Sequence, residues 1–133
     1  PGIYNLNHTG THPVATDLAV MNAIEFHEKI GAKRKEDRLR FIQRYWSDQV
    51  REIEGINVNT PIEPFRSCAI ANVGLEKVKP GEMAKRLMDE FKIFTVAIDG
   101  NGVHGCRITP NIYTTTDELD QFVNALKKMS KKA

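Results

Sequence analysis

Apolar residues in the first part of the chain recur at helical spacing. Ala19, Ala23, Phe26 and Ile30 stand +4, +3 and +4 apart and share one face, which predicts a helix over 13–30. Pro13 suits its first turn and Gly31 its end. Leu39, Ile42, Trp46, Val50 and Ile53, at +3, +4, +4 and +3, predict a second helix over 34–54, stopped by Gly55. Burying each such side chain is worth roughly 1.5–3 kcal/mol, so this helix should hold much of the core together. The mixed charges of Lys33-Arg34-Lys35-Glu36-Asp37-Arg38 read as a solvated helix start.

After Gly55 the pattern becomes extended. Ile56-Asn57-Val58 alternates, Thr60-Pro61-Ile62-Glu63-Pro64 breaks any helix, and residues 67–75 are small and β-prone. A third helix opens at Lys79-Pro80-Gly81-Glu82 and carries Met83, Leu87 and Phe91 four apart. The apolar run 93–98 predicts a strand, and Asp99-Gly100-Asn101-Gly102 a hairpin into a partner strand over 103–109. Pro110 stops that strand. Thr115-Thr116-Asp117-Glu118 is a capping box, and the helix it opens buries Leu119, Phe122, Val123 and Leu126 before fraying into lysines from Lys127. The order α-α-β-β-α-β-β-α predicts an α+β fold: a mostly antiparallel sheet of about four strands, covered by helices on one side.

Composition narrows the function. The 133 residues are 41% hydrophobic, enough for one real core, and no apolar run reaches the ~20 residues of a membrane span. Nineteen basic residues face 17 acidic ones, so the net charge of +2 argues against a globally basic nucleic-acid binder. Cys68 and Cys106 form no C-x-x-C pair and read as buried thiols of a reducing compartment. His8, His12, His27 and His104 are scattered, so no metal site is expected. The chain opens Pro1-Gly2-Ile3 without methionine and reads as an internal piece or a processed product. That leaves its compartment open, with the cytoplasm the expectation.

Two segments carry candidate chemistry. Asn7-His8-Thr9-Gly10-Thr11-His12-Pro13 is a polar loop before a helix, which reads as a plain cap or as a place to hold an anion. In Gly105-Cys106-Arg107-Ile108-Thr109-Pro110 an arginine stands in an apolar strand. It reads as an edge-strand arginine in solvent, or as a rigid guanidinium for bidentate capture of a carboxylate.

At these segments the sequence resembles the C-terminal, small domain of PLP-dependent class V aminotransferases, the fold-type-I group that includes cysteine desulfurases and isopenicillin N epimerase-like proteins. Gly10-Thr11 matches the family's Gly-Thr loop. Arg107, Thr109, Tyr113 and the capped acidic helix from Thr115 match its carboxylate segment, and residues 23–31 and 93–98 fit as well. The resemblance implies that Arg107 clamps a substrate α-carboxylate. It also implies that Thr11 hydrogen-bonds the phosphate of pyridoxal 5′-phosphate (PLP), reaching the site of a neighbouring subunit in a homodimer. Residues 1–12 would then be a segment from the domain junction and 13–133 the small domain.

The departures from the family matter equally. The lysine that binds PLP covalently belongs to the family's larger N-terminal domain, so this chain is expected to hold no PLP and to have no catalytic residue of its own. Cys106 is adjacent to Arg107 and should point to the opposite face of a strand, which disfavours desulfurase chemistry. The reading is a fragment of an enzyme acting on an amino acid, with aminotransferase or epimerase-like chemistry once joined to its missing large domain. Neither nucleic acid nor membrane is an expected partner. The alternative is a free-standing α+β module that binds a small carboxylate or a protein.

Overall fold

The computed structural model describes Gly10 and residues 14–131. Its contacts fall into two units, Pro1–Arg34 and Lys35–Ala133. In the first, α1 (Val14–Ile30) closes at Gly31, which has φ +86° and donates its N–H to the His27 carbonyl at 3.1 Å. The expected stripe lines no core: α1 has no buried residue, and Phe26 is 64% exposed. The physical reason lies in its second apolar side, formed by Val14, Leu18 and Met21 with Val20 and Ile24. A helix apolar on two sides does not bury both against one surface.

The second unit is built around α2 (Ala32–Val50), whose buried residues include Ile42, Trp46 and Val50 of the expected stripe. The helix ends four residues early because 51–54 tighten into turns, in which Ile53 donates to the Val50 carbonyl and Ile56 to that of Ile53, both at 3.1 Å. Ile53 still packs against the core.

Four strands follow: β1 (Ile56–Val58), β2 (Ala71–Leu75), β3 (Val96–Gly100) and β4 (Val103–Ile108). They form one sheet in the order β1-β2-β4-β3, antiparallel throughout. Helix α3 (Pro80–Phe91) lies between β2 and β3 in sequence and packs on β2, β3 and β4, and α4 (Thr116–Ser130) closes the chain. The architecture is therefore α+β in the expected element order.

Three further boundaries move, two for backbone reasons and one for a packing reason. β2 begins at Ala71 rather than 67 because its partner β4 ends opposite it, at Ile108, just before Pro110 removes a donor. β3 begins at Val96 rather than 93 because α3 ends in a left-handed Lys92 (φ 60°). There the Lys92 and Ile93 N–H groups return to the Met88 and Leu87 carbonyls at 3.1 and 3.0 Å. α4 runs on to Ser130 instead of fraying at 127, because Met129 extends the Phe122–Leu126 stripe and is fully buried.

The hairpin and the cap form as expected. Asn101 (φ 51°) and Gly102 (φ 77°) are both left-handed, as a two-residue hairpin turn requires. Thr115 Oγ1 accepts from the Glu118 N–H at 3.2 Å, while Glu118 Oε2 accepts from the Thr115 N–H at 2.8 Å. The Thr115 N–H first, and then the Thr115 hydroxyl, which donates to Glu118 Oε2 at 2.9 Å, hold the Glu118 carboxyl below its ordinary pKa. A depressed carboxyl stabilises the fold above its unfolded pKa and loses that contribution as pH falls through its folded pKa. Thr115→Ala removes the N-cap hydroxyl and is expected to cost about 1 kcal/mol at neutral pH. Thermal melts should show the gap to wild type narrowing in acid; a gap that widens as pH falls would contradict the assignment.

Candidate functional site

The period-2 alternation of β4 sends neighbouring side chains to opposite faces. Cys106 and Ile108 join Ala71, Val73 and Leu75 in the core beneath the helices. Cys106 is fully buried, its thiol 3.6 Å from the Pro80 carbonyl, and burial pushes its pKa up. It is the opposite of an activated nucleophile, and it faces away from Arg107 as its adjacency predicts. Cys68 is half-buried rather than buried.

Arg107 leaves β4 on the other face. It stands opposite Asn72 of β2 and Val96 of β3, and that face also carries Ile98, Val103 and Gly105. There it lines a shallow depression of about 350 Å³ with Thr60, Ile70, Asn72, Ile98 and Val103. Arg107 is the charged group of a lining that carries Thr60, Asn72 and Asn101 beside the apolar Ile70, Ile98 and Val103. An exposed guanidinium on a central strand, flanked by Ile70, Ile98 and Val103, offers one anion-binding point.

A network missed in the sequence supports this face. Asn72 donates its backbone N–H to Thr60 Oγ1 at 2.8 Å and accepts from the Asn59 N–H at 2.9 Å. Asn59 Nδ2 donates to Asn72 Oδ1 at 2.6 Å and to the His104 carbonyl at 3.1 Å. Room for the Asn72 amide comes from Gly105, where a Cβ would lie 2.5 Å from the Val73 carbonyl oxygen and 2.6 Å from Asn72 Oδ1. Gly105→Ala is thus expected to cost about 1–3 kcal/mol by overpacking, read from the urea midpoint. A wild-type midpoint would contradict the close approach.

Arginines of α2, and Arg51 just after it, fasten the loops around the sheet. Arg40 meets the Pro64 and Ser67 carbonyls, Arg44 the Ile62 carbonyl at 3.1 Å and Arg51 the Thr60 carbonyl at 3.3 Å. Arg38, inside the run read as solvated, donates to the Thr114 carbonyl at 2.8 Å just before the capping box. These contacts pin 60–67, which leads into the depression, and 112–114, which follows Arg107 in sequence.

Thr11, His8 and His12 lie outside the described residues. Among the described residues no group of three metal-ligating side chains occurs, and no helix is long and apolar enough to cross a membrane. A depression of about 520 Å³ gathers Lys77, Lys127 and Lys131. Two of these stand at the C-terminal end of α4, where the helix dipole favours cations and disfavours a bound anion.

Residues 3–122 match the model of a protein family described as aminotransferase class-V. The chain belongs to the class-V aminotransferase family. It is 28% identical to an isopenicillin N epimerase of Amycolatopsis lactamdurans, covering 96% of this chain and 32% of that protein. With the isopenicillin N epimerase of Streptomyces clavuligerus it shares 25% identity, over 98% of this chain and 33% of that protein. The class-V chain therefore spans about a third of the length of these curated relatives. Among solved structures, a NifS-like protein superposes with a TM-score of 0.76 at 16% identity, covering 94% of this chain and 35% of that one. The alanine–glyoxylate aminotransferase of Nostoc sp. gives a TM-score of 0.69 at 18% identity, over 91% of this chain and 32% of that one. These two likenesses establish a shared fold.

Class-V aminotransferases are PLP enzymes, so the depression was tested for fit to that group. Its donors are a guanidinium, two amides and a hydroxyl, and no lysine lines it. That set fits a substrate carboxylate and provides no amine for covalent attachment of the cofactor.

Proposed function

We propose that this chain is the small-domain part of a PLP-dependent enzyme acting on an amino acid, with aminotransferase or epimerase-like chemistry, and that it supplies the arginine that binds the substrate carboxylate. The observation that carries the reading is Arg107, the charged group of a depression on the outer sheet face of a class-V aminotransferase chain. PLP, when bound, serves as an electron sink for bonds at Cα. Arg107 would hold the carboxylate with two parallel N–H donors and so fix the orientation of the substrate.

Thr11 is proposed to bind the cofactor phosphate, on the resemblance of Gly10-Thr11 to the family's loop. Covalent attachment of PLP is assigned to a large domain in the remaining two-thirds of the protein, so this chain alone should be inactive. The two apolar sides of α1, with Leu18 71% and Phe26 64% exposed, suit burial against that domain or the second subunit of a homodimer.

The test uses the complete protein, purified with PLP and offered a panel of amino acids in deuterated water. Exchange of the Cα proton, followed by NMR, reports aminotransferase and epimerase chemistry alike. Exchange that requires PLP and falls at least tenfold in Arg107→Ala is the expected result. Absence of exchange with every amino acid would favour the free-standing carboxylate-binding module.

A further inference from the structure

We propose that Asn72 is a second binding residue for the same carboxylate, donating a side-chain N–H to the ligand that Arg107 holds; the inference rests on the carboxylate reading of Arg107. The pairing register sets Asn72 directly opposite Arg107 on the adjacent strand and the same face, and both line the depression. Side chains so opposed have Cβ atoms about 4.5–5.5 Å apart, close enough for both to reach one small anion.

The orientation of the Asn72 amide follows from its neighbours. The His104 carbonyl can only accept, so the Asn59 group 3.1 Å from it is the Nδ2 donor. The same Nδ2 lies 2.6 Å from the Asn72 amide, which must therefore present its oxygen there. With its oxygen committed to Asn59, Asn72 has its Nδ2 donors left over, and none of them has a partner among the described residues. The backbone of Asn72 is held on both sides, by Thr60 Oγ1 at 2.8 Å and by the Asn59 N–H at 2.9 Å. Gly105 leaves the space in which that amide sits. The donor is thus fixed in place before any ligand arrives, which limits the entropy lost on binding.

The chemistry is complementary. A carboxylate has about four lone-pair sites, and a guanidinium fork fills two. A neutral amide donor can take a third without repelling Arg107, as a lysine in its place would. The ligand class is a monocarboxylate, the α-carboxylate of an amino acid in the proposed enzyme.

The experiment titrates the isotope-labelled chain with sodium acetate and, separately, with L-alanine, following the Arg107 Nε–H and Asn72 Nδ2–H signals. Both signals should move along one binding curve. Asn72→Ala should weaken acetate binding about tenfold. Asn72→Asp should abolish it, because the new carboxylate repels the ligand and pairs with Arg107. If Asn72 serves the strand scaffold alone, both variants lower thermal stability similarly and leave acetate affinity at the wild-type value, which overturns the proposal. The wild-type Asn72 Nδ2–H signal decides the matter without any variant: no movement while Arg107 saturates also overturns it. Should Arg107→Ala keep wild-type affinity, or should Arg107 itself show no response, the carboxylate reading fails and this inference with it.

Discussion

Arg107→Lys in the complete enzyme is expected to lower kcat/KM for amino-acid substrates by two orders of magnitude or more, with PLP retention unchanged. The charge is kept, so the loss isolates geometry. Arginine offers a planar pair of donors to both carboxylate oxygens, and lysine a single mobile one. A lost charge-assisted hydrogen bond costs roughly 1.5–3 kcal/mol, and a substrate displaced by about 1 Å can react on the order of 10²-fold more slowly. Val96 and Asn72 flank Arg107 across the ladder, so no neighbouring cation on those strands can substitute for it. Steady-state kinetics beside a PLP absorbance titration checks this. Loss of cofactor with normal substrate saturation would show that Arg107 serves PLP instead.

Trp46→Ala is expected to destabilise the fold by about 3–5 kcal/mol, a large share of the roughly 5–15 kcal/mol typical of a domain. Trp46 is fully buried, and its ring meets Phe122 edge-on at 5.2 Å between centroids. It therefore joins α2 to α4 within the cluster that includes Ile42, Val50, Leu126 and Met129. Truncation removes that contact and leaves a cavity between two helices fixed elsewhere by Tyr45, whose hydroxyl donates to Asp120 at 3.0 Å. Chemical denaturation measures the loss. Phe94→Ala serves as the contrast: Phe94 is 80% exposed, and its removal should change stability by no more than about 0.5 kcal/mol. Equal losses in the two variants would contradict the placement of the core.

The elements governed by local rules were readable from sequence. The positive-φ pair Asn101-Gly102, the Thr115–Glu118 box and the Ile42–Trp46–Val50 stripe each depend on residues within a few positions of one another. So does the opposite facing of Cys106 and Arg107, which follows from strand alternation alone. What depended on a distant partner was not readable. The start of β2 is set by where β4 runs out, and Arg38, Arg40, Arg44 and Arg51 find loop carbonyls 9 to 76 residues away. Asn72 was invisible as a site residue because only the register puts it beside Arg107, 35 positions later in the chain. α1 misled for a different reason: its spacing marks one apolar face, and the second emerges only when all of its residues are placed round the helix. Thr11 lies outside the described residues, so its assignment rests on resemblance.

The most direct test of the central claim removes the carboxylate from either side of the contact. The complete enzyme and its Arg107→Ala variant are each titrated with L-alanine and with ethylamine, which lacks the carboxylate. If Arg107 binds that group, the wild type should prefer alanine by at least tenfold and the variant should lose the preference, because the two deletions remove one interaction. If the variant prefers alanine as strongly as the wild type does, the effects are independent and Arg107 does not hold the carboxylate.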